Sequence, residues 1–102
     1  MTYVSELQCV PGSHPALPGH FPRTPIVPGA WLLTLVEGFY RAGVSAEAAV
    51  AGVDFVRFRH PLLPDQPFRI HLTVEAEDRV RFVIERDGAP IAEGGLALRI
   101  FR

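Results

Sequence analysis

Residues Gly19–Glu37, GHFPRTPIVPGAWLLTLVE, decide how this chain is to be read. A histidine-phenylalanine pair, His20-Phe21, sits in a loop that runs through Pro22, Pro25 and Pro28 to Gly29 and then enters an apolar run with helical spacing. Each proline has already set its own φ, so holding such a loop in place costs little further entropy. A helix that starts at its end offers unpaired N–H groups and the positive end of the helix dipole. An imidazole held beside those donors, with a greasy helix behind, has the makings of an active site: a base that titrates near working pH and backbone amides that stabilise developing negative charge.

Outward from this stretch, the pattern predicts a helix over Gly29–Arg41, ended by Gly43. Trp31, Leu32, Leu33, Leu35, Val36, Phe39 and Tyr40 cover most of its circumference, which predicts a helix buried nearly all round. Its narrow polar stripe is Thr34, Glu37, Gly38 and Arg41, spaced to share one face. On the N-terminal side, YVSELQCV (residues 3–10) reads as a strand. Six prolines between Pro11 and Pro28 then exclude regular structure, and Leu17, Phe21, Ile26 and Val27 favour a packed loop over a linker.

On the C-terminal side the period changes from helical to alternating. Val53–Arg59 puts Val56 and Phe58 on one side and Arg57 and Arg59 on the other. His60–Asp65 reads as a turn. Phe68, Ile70, Leu72 and Val74 alternate with Arg69, His71, Thr73 and Glu75, a half-buried strand, and Val80, Phe82 and Ile84 repeat the pattern. Asp87-Gly88 signals a hairpin. The last strand, 89–101, carries Gly94-Gly95, which predicts a bulge or bend in it. One helix and about five strands make an α+β domain, an antiparallel sheet curled around a single long helix.

A length of 102 residues suits one domain, residues 1–102. With 48% hydrophobic residues and a mean hydropathy of +0.19, the chain has more apolar surface than so small a protomer hides alone, so oligomerisation is expected. The net charge of −1 gives no electrostatic case for nucleic acid or an anionic membrane. The single Cys9 has no internal disulfide partner, and MTYVSELQ has neither the basic region nor the apolar run of a secretory leader. A reduced, cytoplasmic protein with Cys9 turned into the core is the expectation. The four histidines lack metal-ligand spacing, so no metal is predicted.

The string HFPxxPIxPG followed by an apolar helix resembles the β-hydroxyacyl-[acyl-carrier-protein] dehydratases of the hot-dog fold. The upstream HPALPGHFP is similar to their short branch in aryl-polyene and related pigment pathways. The resemblance is close over residues 14–33 and elsewhere is one of length and element order. It implies dehydration of β-hydroxyacyl thioesters to trans-2-enoyl thioesters, in fatty-acid or polyene biosynthesis, by a dimer with sites at the subunit interface. No cofactor is implied beyond the phosphopantetheine that carries the substrate on acyl carrier protein.

By the same resemblance His20 is the base and the backbone N–H of Gly29 the donor to the thioester oxygen. A glycine there suits close approach of that oxygen. The family's helix acid, fourteen positions after the histidine, falls on Thr34, a poor proton donor that would at most orient a water or the substrate hydroxyl. Glu37, one turn on, is the only helix carboxylate. It serves as the acid or else pairs with Arg41, and Thr34 otherwise bonds back to a helix carbonyl. Phe21, Pro28, Trp31 and Leu35 are candidates to contact substrate, with Phe39 beside them lining or blocking an acyl tunnel. Arg23, Arg57 and Arg59 are candidates to meet an acidic carrier protein, although a solvated strand face explains the last two as well. His14, His60 and His71 read as loop, turn and strand-surface residues. The missing acid keeps three alternatives open: a half-catalytic or non-catalytic subunit of a heteromeric dehydratase, an acyl thioesterase, and an acyl-binding module.

Overall fold

The computed structural model describes residues 1–12 and 26–101. His14, His20, Phe21 and Arg23 lie outside the described residues. The elements are β1 (Thr2–Val4), α1 (Gly29–Gly43), β2 (Ala48–Phe58), β3 (Arg69–Ala76), β4 (Arg79–Arg86) and β5 (Ala89–Ile100). The strands form one antiparallel sheet in the order β1-β3-β4-β5-β2. Helix α1 packs against both β2 and β3, which β4 and β5 separate, so the sheet bends around it.

Register follows the apolar alternation. Ile70, Ile84 and Ala92 form one cross-strand row, Leu72, Phe82 and Gly94 the next, and Val74, Val80 and Leu96 a third. All of these but the half-buried Val74 are buried. The opposite face carries His71, Val83, Glu93 and Arg57 in one row and Thr73, Arg81, Gly95 and Phe55 in another. Asp87 (φ 53°) and Gly88 (φ 80°) join β4 to β5, and two successive positive φ angles make the hairpin turn that matches strand twist.

Five expectations need correction. The first strand is short. After Val4 the buried Ser5 hydroxyl accepts from the Ile70 N–H (2.9 Å) and donates to the Glu6 carbonyl, which breaks the ladder until Gln8 pairs with Phe68. Cys9, on this irregular stretch, is exposed. The helix runs two residues past Arg41, and only its Leu32–Val36–Tyr40 stripe is fully buried; Trp31, Leu33, Leu35 and Phe39 are half-buried, because one sheet covers one side. Register shifts lie in β2, between Val50 and Gly52 and between Val53 and Phe55, in β3 between Val74 and Ala76, and in β5 at Ile91, whereas β5 has none at Gly94-Gly95. Those glycines serve packing: a Cβ on Gly94 would sit 2.6 Å from the Phe55 carbonyl oxygen and 2.7 Å from the Phe82 ring. Strand β2 also begins five residues earlier than its alternation predicts.

A polar contact among the described residues crosses from helix to sheet. Glu37 Oε2 accepts from the Val50 N–H at 2.8 Å, a half-buried charge-assisted bond to the edge strand. The turn after β2 ties together the stretches on either side of residues 13–25. Asp65 bonds to Val10 and Gly12, while Leu62 accepts from the Val27 N–H at 2.8 Å.

Substitutions at three positions test this packing by chemical denaturation. Gly94→Ala should cost about 1–3 kcal/mol or more through overpacking against backbone, whereas Gly52→Ala, with open space around it, should be neutral or mildly stabilising. Glu37→Ala should cost about 1.5–3 kcal/mol, and Glu37→Gln, which keeps an acceptor for Val50, clearly less.

Candidate functional site

Helix α1 starts on Pro28, whose fixed φ suits the entry and whose carbonyl accepts the first helical bond, from the Leu32 N–H at 3.1 Å. No side chain caps this end among the described residues, and no acidic residue stands in the first turn. The helix start carries the positive end of the helix dipole, and among the described residues no side chain accepts from the Gly29 N–H. This helix start borders a cavity of about 340 Å³, at the small end of the range for ligand sites. Ile26, Val27, Leu32 and Leu62 give it apolar walls, and Arg59, His60 and Pro61 form an exposed rim.

Phe58, the last residue of β2, completes the wall. A Cβ built on Gly29 would lie 2.6 Å from Phe58 Cζ, so the glycine makes room for this ring. That is a different reason for glycine from the one the sequence suggested, which was close approach of a substrate oxygen. Phe58 lies 29 positions from Gly29, and strand alternation alone does not pair them. His60, read from sequence as a turn residue, stands in the turn but borders the same cavity as Gly29. Neither Phe58 nor His60 was singled out from sequence, since only the folded turn brings them to the helix start.

Thr34 and Glu37 stand elsewhere. They line a smaller hollow of about 160 Å³, with Leu33, Val50 and Val53, beside the edge strand. Along the helix they are about 7.5 and 12 Å from Gly29. Neither lines the Gly29 cavity. Thr34 Oγ1 donates to the Ala30 carbonyl at 3.2 Å, and the Glu37 carboxylate is engaged by Val50. The expected Glu37–Arg41 pair is replaced: Arg41 Nη2 donates to the Ala46 carbonyl. Pro28 is half-buried at the helix entry. Trp31, Leu35 and Phe39 pack half-buried against the core, and Leu32 is the helix side chain that faces the cavity.

Arg57 and Arg59 share one carboxylate, Glu93, on the outer face. The Arg59 hydrogen bond and the positive charges of Arg59, Arg57 and Arg81 hold the Glu93 carboxyl below its ordinary range. Two guanidiniums on one carboxylate leave a net positive charge next to the cavity rim. His71 faces Glu85 at 3.2 Å, so it lies on the strand's polar side as its alternation predicted.

Comparison with known proteins agrees with this architecture. The chain is 29% identical to the 3-hydroxyacyl-[acyl-carrier-protein] dehydratase FabZ of Herpetosiphon aurantiacus, over 92% of this chain and 74% of that protein. It is 30% identical to the enzyme of the same name from Bordetella pertussis, over 82% of this chain and 63% of that one. Among solved structures, the dehydratase heterocomplex ApeI:P from Xenorhabdus doucetiae superposes with a TM-score of 0.82 at 19% identity, covering 90% of this chain and 82% of that one. An uncharacterised protein from Erwinia carotovora subsp. atroseptica gives 0.80 at 18% identity, covering 98% and 93%. At such identities the likeness is one of fold, and that fold is the hot-dog. No helix among the described residues is long and apolar enough to cross a membrane. The ApeI-like family model, described as ApeI dehydratase, matches residues 2–95, nearly the whole sheet and helix just described, and the chain belongs to that family.

Proposed function

We propose that this protein dehydrates β-hydroxyacyl thioesters carried on acyl carrier protein, giving trans-2-enoyl thioesters for fatty-acid or polyene biosynthesis. The observation that carries this reading is a glycine-opened helix start bordering an apolar cavity, in a chain of the ApeI-like dehydratase family. His20 removes the proton next to the thioester carbonyl. The Gly29 N–H receives the negative charge that develops on the carbonyl oxygen, within apolar walls that strengthen the interaction. As the β-hydroxyl accepts a proton and leaves as water, the electron pair of the broken C–H bond becomes the new double bond.

The proton for the departing hydroxyl is the open point, and it favours a two-subunit site. Thr34 donates its hydroxyl hydrogen to Ala30, and Glu37 is spent on Val50. Neither side chain lines the Gly29 cavity of its own protomer. The acid comes from a second hot-dog subunit, with this chain contributing His20 and Gly29. Strand β2 is the surface for it: a sheet edge eleven residues long, with Val53, Phe55, Val56 and Phe58 all at least 36% exposed, whereas the other edge, β1, has three residues. The dehydratase heterocomplex ApeI:P, of similar fold, supports a related subunit as that partner. Carrier protein docks by charge, through Arg57 and Arg59 with Arg23, and the complex works in the cytoplasm without a cofactor of its own.

Purified alone and then mixed with a related hot-dog subunit, the protein should form enoyl product from a β-hydroxyacyl carrier protein only in the mixture, or far faster there. His20→Ala should lower that rate by about 10²–10⁴-fold, while Thr34→Val should leave it nearly unchanged. Release of free thiol in place of enoyl product would identify a thioesterase instead. Arg57→Ser should raise KM for carrier-bound substrate and weaken its salt dependence, with KM for the same acyl group on free pantetheine unaltered.

A further inference from the structure

The cavity at the helix start has one wall unlike the others. Val27, Leu32 and Leu62 are buried members of the core. Phe58 is 48% exposed: one side of its ring is seated over Gly29 and the rest is open. It ends β2 on the face that continues the buried row of Ile70, Ile84 and Ala92, so the backbone aims it at the helix start. Because residue 29 has no Cβ, the ring lies directly against the helix start, and ring and glycine line the same cavity. An acyl group held in that cavity beside the helix start packs against the ring.

We propose that Phe58 is the specificity-determining residue of this site: its ring, seated on the Cβ-less Gly29, limits the length and breadth of the acyl group that can lie against the helix-start amide. This rests on the acyl-thioester reading above and adds to it the side chain that selects among acyl groups. An apolar pocket discriminates by volume, and one methylene too many or too few is worth roughly 10–200-fold. The ring is far larger than a methylene and, unlike its buried neighbours, is free to be shortened without opening the core. In this arrangement the pocket accepts a short acyl group with the ring in place and a longer or broader one only when the ring is removed.

The test compares β-hydroxybutyryl and β-hydroxydecanoyl carrier protein as substrates of the complete assembly, for the unaltered protein, Phe58→Leu and Phe58→Ala. Phe58→Ala should shift the kcat/KM ratio toward the ten-carbon substrate by about 10-fold or more, with Phe58→Leu intermediate. A ratio unchanged in both variants, or an equal loss on both substrates, overturns the proposal. Should alanine at this exposed strand end disrupt the assembly, as read by light scattering, Phe58→Leu and Phe58→Met supply the same comparison. Calorimetric binding of unreactive thioether analogues of the two acyl-pantetheines separates this inference from the reaction itself. If neither substrate turns over, yet the Kd ratio of the analogues follows residue 58, Phe58 selects acyl groups and the dehydration reading fails. If the analogues bind without regard to residue 58, or do not bind, the proposal fails.

Discussion

The burial of one helical stripe, Leu32, Val36 and Tyr40, against the concave face of the sheet is the constraint on which the other features depend. Each of these side chains contributes about 1.5–3 kcal/mol by leaving water. Their spacing of four residues fixes the rotation of α1 about its axis. With that rotation set, the first turn faces the loop after β2, and the stripe of Thr34 and Glu37 turns toward the edge strand. Glu37 makes the second point of attachment through the Val50 amide. A helix held by a stripe and one polar strut has neither rotation nor slide left to place its N–H groups elsewhere.

That placement separates the polar resources of the chain into two sets. The helix start, with no side-chain cap among the described residues, meets an apolar cavity with a basic rim. The helix middle spends its donor and its carboxylate internally, in a hollow that opens beside β2. In the two-subunit reading proposed above, another subunit would extend the sheet at the β2 edge, where Val53, Phe55, Val56 and Phe58 stand exposed.

The outer face of the sheet shows how that edge is kept in order. Phe55 lies over Gly95, where a Cβ would come within 3.0 Å of its ring, and the Arg81 guanidinium sits 5.7 Å above the ring centroid. Arg79 pairs with Asp54, the residue that bulges from β2, and Glu93 gathers Arg57 and Arg59. These exposed pairs contribute little stability singly. They do orient the strand's side chains, so that basic groups cluster near the cavity and the apolar ones along the edge.

Periodicity alone determined much of this. Strands β3 and β4 and the Asp87-Gly88 hairpin are legible because alternation and positive-φ turn chemistry are local properties. The single helix is legible because its apolar spacing is. The motif from His20 to Gly29 pointed to the family on its own. What the sequence left undecided are contacts between positions far apart along the chain. Phe58 meeting Gly29, Val50 capturing Glu37, and Ser5 interrupting the first strand all depend on how the sheet bends around the helix. Register shifts fell in β2, in β3 after Val74 and in β5 at Ile91, and not at Gly94-Gly95, because those glycines answer to the rings and backbone stacked on them. Local pattern says which residues seek burial; only the closed sheet says which of them arrive at the same place.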